Sequence, residues 1–160
     1  MNQPRPASPL QGLLDEEIAV LGDFLKILKQ EEAALVAGDA DGLVPVAQTK
    51  NQLAERLALI AERRAVLLNA AGLPQSRAGI ETLITRQPGA KDVQQRWTTL
   101  LEQAREVKQR NELNGRLIAE KLSHNQQALQ ALSAAAERTA LYGPDGQTRI
   151  GGSGRSFGRA

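Results

Sequence analysis

Apolar residues recur at alternating spacings of three and four along most of this chain, and this feature constrains its fold more than any other. In the first such segment they are Leu14, Ile18, Leu21, Leu25, Leu28 and Leu35. In the second they are Leu43, Val46, Leu53, Leu57, Ile60 and Leu67. Because this spacing places the apolar side chains on one face of an α-helix, it predicts helices that pack lengthwise on one another.

The composition also favours helices and restricts the chemistry. A chain of 160 residues is the size of one domain, and its four aromatic residues leave the core to Leu, Ile, Val and Ala. The absence of cysteine excludes disulfides and thiolate metal sites. The sequence shows neither the apolar run of a signal peptide nor a membrane span. We therefore expect a cytoplasmic protein without membrane insertion.

Helix start and stop signals predict where the elements lie. Ser8 is a helix N-cap candidate, residues 38–42 combine glycine and aspartate in a tight turn, and Pro74 and Pro88 interrupt the later segments. The sequence thus predicts an all-α fold, an antiparallel helical hairpin or three-helix bundle with a long last helix. The predicted parts are flexible residues 1–8, helices at about 9–37, 43–71, 77–86 and 91–137, and a disordered Gly-rich docking tail at 138–160.

The last predicted helix is longer than the bundle it would join. It would span ~70 Å, whereas each of the first two helices spans only ~45 Å at 1.5 Å per residue. Its last third keeps an apolar stripe, which consists of Leu117, Ile118, Leu122, Leu129 and Leu132. An unburied stripe of that length indicates a surface that binds another protein. The short helix at 77–86 is expected to cap one end of the bundle.

Asparagines interrupt the apolar face of this long helix. The face is defined by Val93, Trp97, Leu100, Ala104 and Val107. Asn111, Asn114 and Asn125 continue it, and they are either buried residues that fix the register or solvated residues beside a drifting stripe. Gly115 indicates either a close backbone approach or a soft point in the helix. Trp97 is expected in the bundle core.

No group of residues in the sequence predicts catalysis. The single histidine, His124, has no second histidine or cysteine to assist it, so an exposed or partner-facing side chain is expected. The adjacent acids Glu16 and Glu17, like Glu31 and Glu32, diverge on a helix and are expected on a solvated face. The sequence thus predicts a binding protein that is not an enzyme and has no catalytic residue, cofactor or metal site.

The basic C-terminal region raises the question of nucleic-acid binding. Residues 138–160 hold four arginines in a Gly-rich stretch, and only two aromatic residues, Tyr142 and Phe157, lie among them for base stacking. We therefore expect a solvated tail and no nucleic-acid partner.

Three C-terminal motifs resemble the FlgN-type flagellar export chaperones. They are NELNGRLI at 111–118, NQQAL at 125–129 and LYGPDGQT at 141–148. More loosely, the acidic helix ending in EEAAL at 31–35 and the turn that follows it also resemble the family. This resemblance implies an all-α cytoplasmic chaperone without a cofactor, which holds the hook-associated proteins FlgK and FlgL until the flagellar type III apparatus exports them.

The resemblance also implies where the partners bind. The C-terminal segment of the exported protein would bind the long helix, and the export gate protein FlhA would receive the region around Tyr142. The implied binding residues on the long helix are Leu117, Ile118, Leu122, Asn125, Leu129 and Leu132. The alternative is a structural coiled-coil protein that associates with itself, because the same heptads would form a homo-oligomer.

Overall fold

The computed structural model of the protein describes residues 8–141, and within this range the chain forms helices without strands. The helices are α1 (Pro9–Ala37), α2 (Ala40–Ala70), α3 (Arg77–Thr85) and α4 (Ala90–Leu141). The predicted all-α fold is therefore confirmed. The predicted flexible N-terminus, except Ser8, and the predicted tail beyond Leu141 lie outside the described residues.

The ends of α1 follow from local capping chemistry. The Ser8 hydroxyl oxygen accepts a hydrogen bond from the backbone N–H of Gln11 at 3.2 Å, which satisfies one of the free donors of the first turn. Gly38 ends the helix with φ of 70°, in the left-handed region that glycine adopts without a steric penalty. Helix α1 consequently occupies the predicted range 9–37.

Two helix boundaries differ from the predicted ones by more than one residue. Helix α2 begins at Ala40 instead of 43, because the Asp39 carboxylate caps it by accepting a hydrogen bond from the Gly42 N–H at 2.9 Å. Helix α4 continues to Leu141 instead of ending at 137. Residues 138–141 contain neither glycine nor proline, so no helix-breaking residue stops it there.

Contacts within the chain divide it into two units, Met1–Leu117 and Ile118–Ala160. The first unit contains α1, α2, α3 and the beginning of α4. The second contains the rest of α4, whose residues 118–138 are exposed. The two units are described separately below.

The core of the first unit lies among its helices. Helix α1 is buried on two adjacent faces, because α2 and α4 both pack on it. One face contributes Leu10, Leu14 and Leu21, and the other contributes Leu13, Val20, Phe24 and Leu28. Trp97 of α4 is 5% exposed and packs in the first cluster, so its predicted place in the core is confirmed.

Helix α3 closes one end of this unit. Its residues Ile80, Leu83 and Ile84 are buried in the same cluster as Leu10 of α1 and Leu68 of α2. The Ser76 hydroxyl caps α3 by accepting a hydrogen bond from the Gly79 N–H at 3.2 Å. Helix α3 thus covers apolar side chains where α1 begins and α2 ends.

Ion pairs show the directions in which the helices run. Glu17 pairs with Arg64, and Glu31 pairs with Lys50 at 3.1 Å, so α1 and α2 are antiparallel. In each helix the two charged positions are 14 residues apart, which is two heptads. The two pairs therefore match only in one register of the α1–α2 hairpin.

Helices α1 and α4 run parallel. Asp15 pairs with Arg96 at 2.6 Å, and Glu32 pairs with Arg110 at 3.6 Å. Among the ion pairs that join two of the described helices, α1 supplies the acid and α2 or α4 supplies the base. The charges of α1 are therefore complementary to those of both neighbours.

The prediction that the adjacent acids lie on a solvated face is wrong for one member of each pair. The Glu17 and Glu31 residues are buried, with 9% and 6% exposure. The adjacent side chains do diverge, as predicted, because Glu16 pairs with Arg63 at the surface and Glu32 with Arg110. Burial is possible because Arg64 and Lys50 approach from α2 and neutralise the two carboxylates.

Candidate protein-binding seam on α4

The part of α4 in the first unit carries an apolar edge that is covered by other helices and ends in a buried asparagine. We call this edge the covered seam and define it as Val93, Trp97, Leu100, Ala104, Val107 and Asn114. Val93, Trp97 and Leu100 are buried, and Ala104 and Val107 are half-buried against the same clusters. The covered seam is therefore the face with which α4 joins the bundle.

Asn114 ends the covered seam with a buried polar contact. It is 1% exposed, and its Nδ2 donates hydrogen bonds to the Leu28 carbonyl oxygen at 2.9 Å and to Glu31 Oε2 at 2.8 Å. The Lys50 ammonium group approaches the same carboxylate at 3.1 Å. These contacts link α1, α2 and α4. Of the two interpretations offered by the sequence, Asn114 thus follows the buried one, whereas Asn111 and Asn125 are exposed.

The same heptad spacing continues in the second unit without cover. We call this part the free seam and define it as Ile118, Leu122, Asn125, Leu129 and Leu132. The exposed fractions of its apolar members are 37% for Ile118, 57% for Leu122, 63% for Leu129 and 66% for Leu132. Large apolar side chains exposed in a row along one helix face mark a surface that can bind another apolar surface.

The surroundings of the free seam carry almost no charge. The sequence from Leu122 to Ala136 reads LSHNQQALQALSAAA and contains no Asp, Glu, Lys or Arg. Every residue of this stretch is exposed. Small alanines and uncharged polar residues flank the leucines, so a second helix could approach closely without burying a charge. The sequence analysis missed this feature, although the absence of charge over two heptads is its visible signal.

The seam changes its phase next to Gly115. Asn114, Ile118 and Leu122 are separated by two successive spacings of four, a pattern that locally unwinds a coiled coil. Gly115 lies within the regular helix, and a Cβ atom added there would meet no atom of residues 8–141 outside its own helix backbone within 4 Å. The described part of the chain therefore makes no close backbone approach at Gly115.

The other residues named from the sequence fall in different places. Leu117 is half-buried in the first unit and lies one position before the free seam, so it is not part of it. His124 is exposed, as expected. Tyr142, the predicted docking residue for the export gate, lies outside the described residues.

The structure also bears on metal sites and on membrane spans. Among residues 8–141, no cluster of three or more His, Cys, Asp or Glu side chains could hold a metal ion. None of the helices in this range is long and apolar enough to cross a membrane.

Comparisons with known proteins agree with the fold and with the sequence motifs. The model of the family described as FlgN protein matches residues 7–150. The chain is 28% identical to the Flagella synthesis protein FlgN of Salmonella typhimurium, covering 88% of this chain and 91% of the relative. It is 30% identical to the protein of the same name from Escherichia coli, covering 87% and 89%.

A solved structure is similar as well. A crystal structure of a flagella synthesis protein from Pseudomonas aeruginosa superposes with a TM-score of 0.65 and 26% sequence identity. The match covers 71% of this chain and 90% of that one. The family model spans most of the chain, including all four helices, and the relatives are matched over nearly their whole length. This chain therefore belongs to the FlgN family.

Proposed function

We propose that this protein is a flagellar export chaperone that holds the C-terminal segments of the hook-associated proteins FlgK and FlgL on the free seam. The observation that supports this proposal is the row of exposed apolar side chains from Ile118 to Leu132, which from Leu122 onward lies in a stretch without Asp, Glu, Lys or Arg. Membership of the FlgN family gives the flagellar context. Binding, and not catalysis, is the proposed activity.

The free seam would act by covering apolar surface of the exported protein before assembly. Burying a leucine side chain fully stabilises a complex by about 1.5–3 kcal/mol, and the loss of rigid-body and side-chain freedom offsets much of the total. Four apolar side chains along one helix thus suit a complex that is stable enough to prevent premature association yet reversible at handover.

Delivery would follow binding. We propose that the chaperone is cytoplasmic, visits the flagellar export apparatus transiently, and docks on the gate protein FlhA through the region around Tyr142. The support for this step is the LYGPDGQT motif at 141–148, which resembles the corresponding segment of the family.

The first experiment replaces Leu122, Leu129 and Leu132 together by glutamate. Because binding energy is concentrated in a few apolar anchors, we expect the triple variant to lose co-purification with FlgK and FlgL C-terminal segments. Size-exclusion chromatography with light scattering measures the complex, and circular dichroism measures the fold. Gln127→Glu, which introduces a charge on the opposite face of the same turns, is the matched control and should bind like the wild type.

Two results would contradict the proposal. Unfolding of the bundle in the triple variant would mean that these leucines stabilise the fold instead of binding a partner. Undiminished binding by a folded triple variant would place the binding surface elsewhere.

A second candidate function is self-association through the same seam. Ile118 and Leu132 lie seven residues on either side of Asn125, and Leu122 and Leu129 lie three and four residues from it. Two copies could therefore pair antiparallel about Asn125, as a two-fold interface requires. Light scattering of the protein alone distinguishes this candidate, because a stable homo-oligomer that ignores FlgK and FlgL segments would support it over the chaperone.

A further inference from the structure

The free seam contains one polar residue, Asn125, between its apolar members. Ile118 and Leu122 precede it, and Leu129 and Leu132 follow it. A helix lying on the seam would enclose the Asn125 carboxamide between apolar layers, where a polar group without a hydrogen-bonding partner is costly. The residue opposite Asn125 thus decides which helices fit.

The covered seam shows how this chain accommodates a buried asparagine. Helix α1 covers Asn114 and presents two acceptors to its Nδ2, the Leu28 carbonyl oxygen and the Glu31 carboxylate. Lys50 of α2 neutralises that carboxylate. A covering helix with an acceptor opposite the seam asparagine is therefore an arrangement that this sequence already uses.

The surroundings of Asn125 contain no counterpart of Lys50. No Lys or Arg occurs between Leu122 and Ala136, and Lys121, one turn before Asn125, is exposed and lies beside the seam. His124 is also exposed, and as the neighbour of Asn125 it is turned away from it by about 100° around the helix. A carboxylate facing Asn125 would lose its hydration without gaining a buried counter-charge. A neutral carboxamide avoids this cost and offers Asn125 both a donor and an acceptor.

We infer that the free seam selects an amphipathic partner helix that carries Asn or Gln opposite Asn125 and apolar residues in the layers on either side. The inference rests on the proposed function in that the occupant is a helix of another protein. It adds the chemistry that sets the register of that helix. A single asparagine within an apolar seam fixes register at the expense of affinity, so Asn125 is a specificity residue.

A series of helical peptides tests this inference with the full-length chain. Each peptide has an apolar heptad seam with one Gln, and the Gln moves to successive seam positions along the series. Matched control peptides carry Glu or Leu at those positions. Fluorescence anisotropy measures the affinities of all these peptides. We expect one Gln position to bind roughly tenfold more tightly than the others, which corresponds to about 1.4 kcal/mol.

Two variants of the chain identify Asn125 as the cause. Asn125→Leu should abolish the preference among Gln positions and bind the all-Leu peptide more tightly than the wild type does. Gln127→Leu introduces the same leucine on the opposite face of the same turn, and it should keep the wild-type preference.

Several results would overturn the inference. These are equal affinity at every Gln position, strongest binding of the Glu peptides, absence of binding by the whole series, and a wild-type homodimer that no peptide displaces. The proposed function fails separately. FlgK and FlgL segments that bind without any dependence on Asn125 would overturn the inference alone, whereas natural segments that do not bind would overturn the proposed function even if the designed peptides bind.

Discussion

The two seams of α4 have the same spacing and opposite surroundings. The covered seam, from Val93 to Asn114, is packed against α1 and α2, and its asparagine makes two hydrogen bonds. The free seam, from Ile118 to Leu132, exposes its leucines and its asparagine. Heptad spacing therefore indicates that a helix face can pack, but it does not tell whether the covering helix comes from the same chain.

Charge distinguishes the two seams more clearly than apolar residues do. Charged residues accompany the covered seam, and two of them, Arg96 and Arg110, form ion pairs with acids of α1. The free seam from Leu122 onward lies in a stretch without Asp, Glu, Lys or Arg that extends to Ala136. The bundle half of α4 thus carries residues complementary to one particular neighbour, whereas this stretch presents a surface that limits the charge a partner can bury.

The largest expected difference between the seams is in their contribution to stability. Trp97→Ala should lower the free energy of unfolding by about 3–5 kcal/mol, because it leaves a large cavity among buried side chains. Leu129→Ala should change it by less than about 0.5 kcal/mol, because Leu129 is 63% exposed. Urea denaturation followed by circular dichroism measures both, and a comparable loss in the two variants would contradict the division between the seams.

Replacing either asparagine by alanine should give a difference in stability of intermediate size, and the substitution is chemically the same at both positions. Asn114→Ala should cost about 1–3 kcal/mol, because it removes two buried hydrogen bonds and leaves Lys50 to neutralise the buried Glu31 carboxylate without them. Asn125→Ala should be neutral or stabilise the helix by a few tenths of a kcal/mol, roughly the difference in helix propensity. Equal midpoints of thermal unfolding in the two variants would contradict this expectation.

The smallest expected effect concerns the glycine between the seams. Gly115→Ala should stabilise the protein by about 0.5–1 kcal/mol, because the helix tolerates a Cβ atom there and alanine favours the helix. Gly79→Ala is the contrasting variant, since its Cβ atom would lie 2.0 Å from the Pro74 carbonyl oxygen and should destabilise the protein.

A binding measurement tests the remaining interpretation of Gly115, that it is a soft point in the helix. A Gly115→Ala variant that is more stable and binds FlgK and FlgL segments normally would show that the glycine is not needed as a soft point. Loss of binding in that more stable variant would show that bending at Gly115 is required.

Capping residues and apolar spacing were sufficient to predict most of the helices. Ser8 and Gly38 predict the two ends of α1 because their effects are local, involving hydrogen bonds and φ angles within one turn. The start of α2 was missed because residues 39 and 41 are both aspartates, and either could cap a helix. Only the three-dimensional course of the turn selects Asp39.

The candidate site was predicted in its apolar residues and missed in its polar context. The stripe from Ile118 to Leu132 follows from spacing alone, and the length of α4 indicated that it would lack a partner in the bundle. The run without Asp, Glu, Lys or Arg from Leu122 to Ala136 is visible in the sequence, but no prediction was based on it. Leu117 belongs to the predicted stripe but lies off the line of the free seam, because one residue on a helix changes the direction of a side chain by about 100°. Its role in binding stays a prediction.

The sequence by itself determined that the chain is helical, which faces of the helices are apolar, and that one apolar face continues past the length of its neighbours. The tertiary structure alone decided which charged residues are buried. Glu17 and Glu31 can be buried only because Arg64 and Lys50, which are distant in sequence, pair with them across the hairpin. It likewise decided that Asn114 is a buried contact while Asn125 remains exposed, because a polar side chain can be enclosed only where another helix supplies its hydrogen-bonding partners.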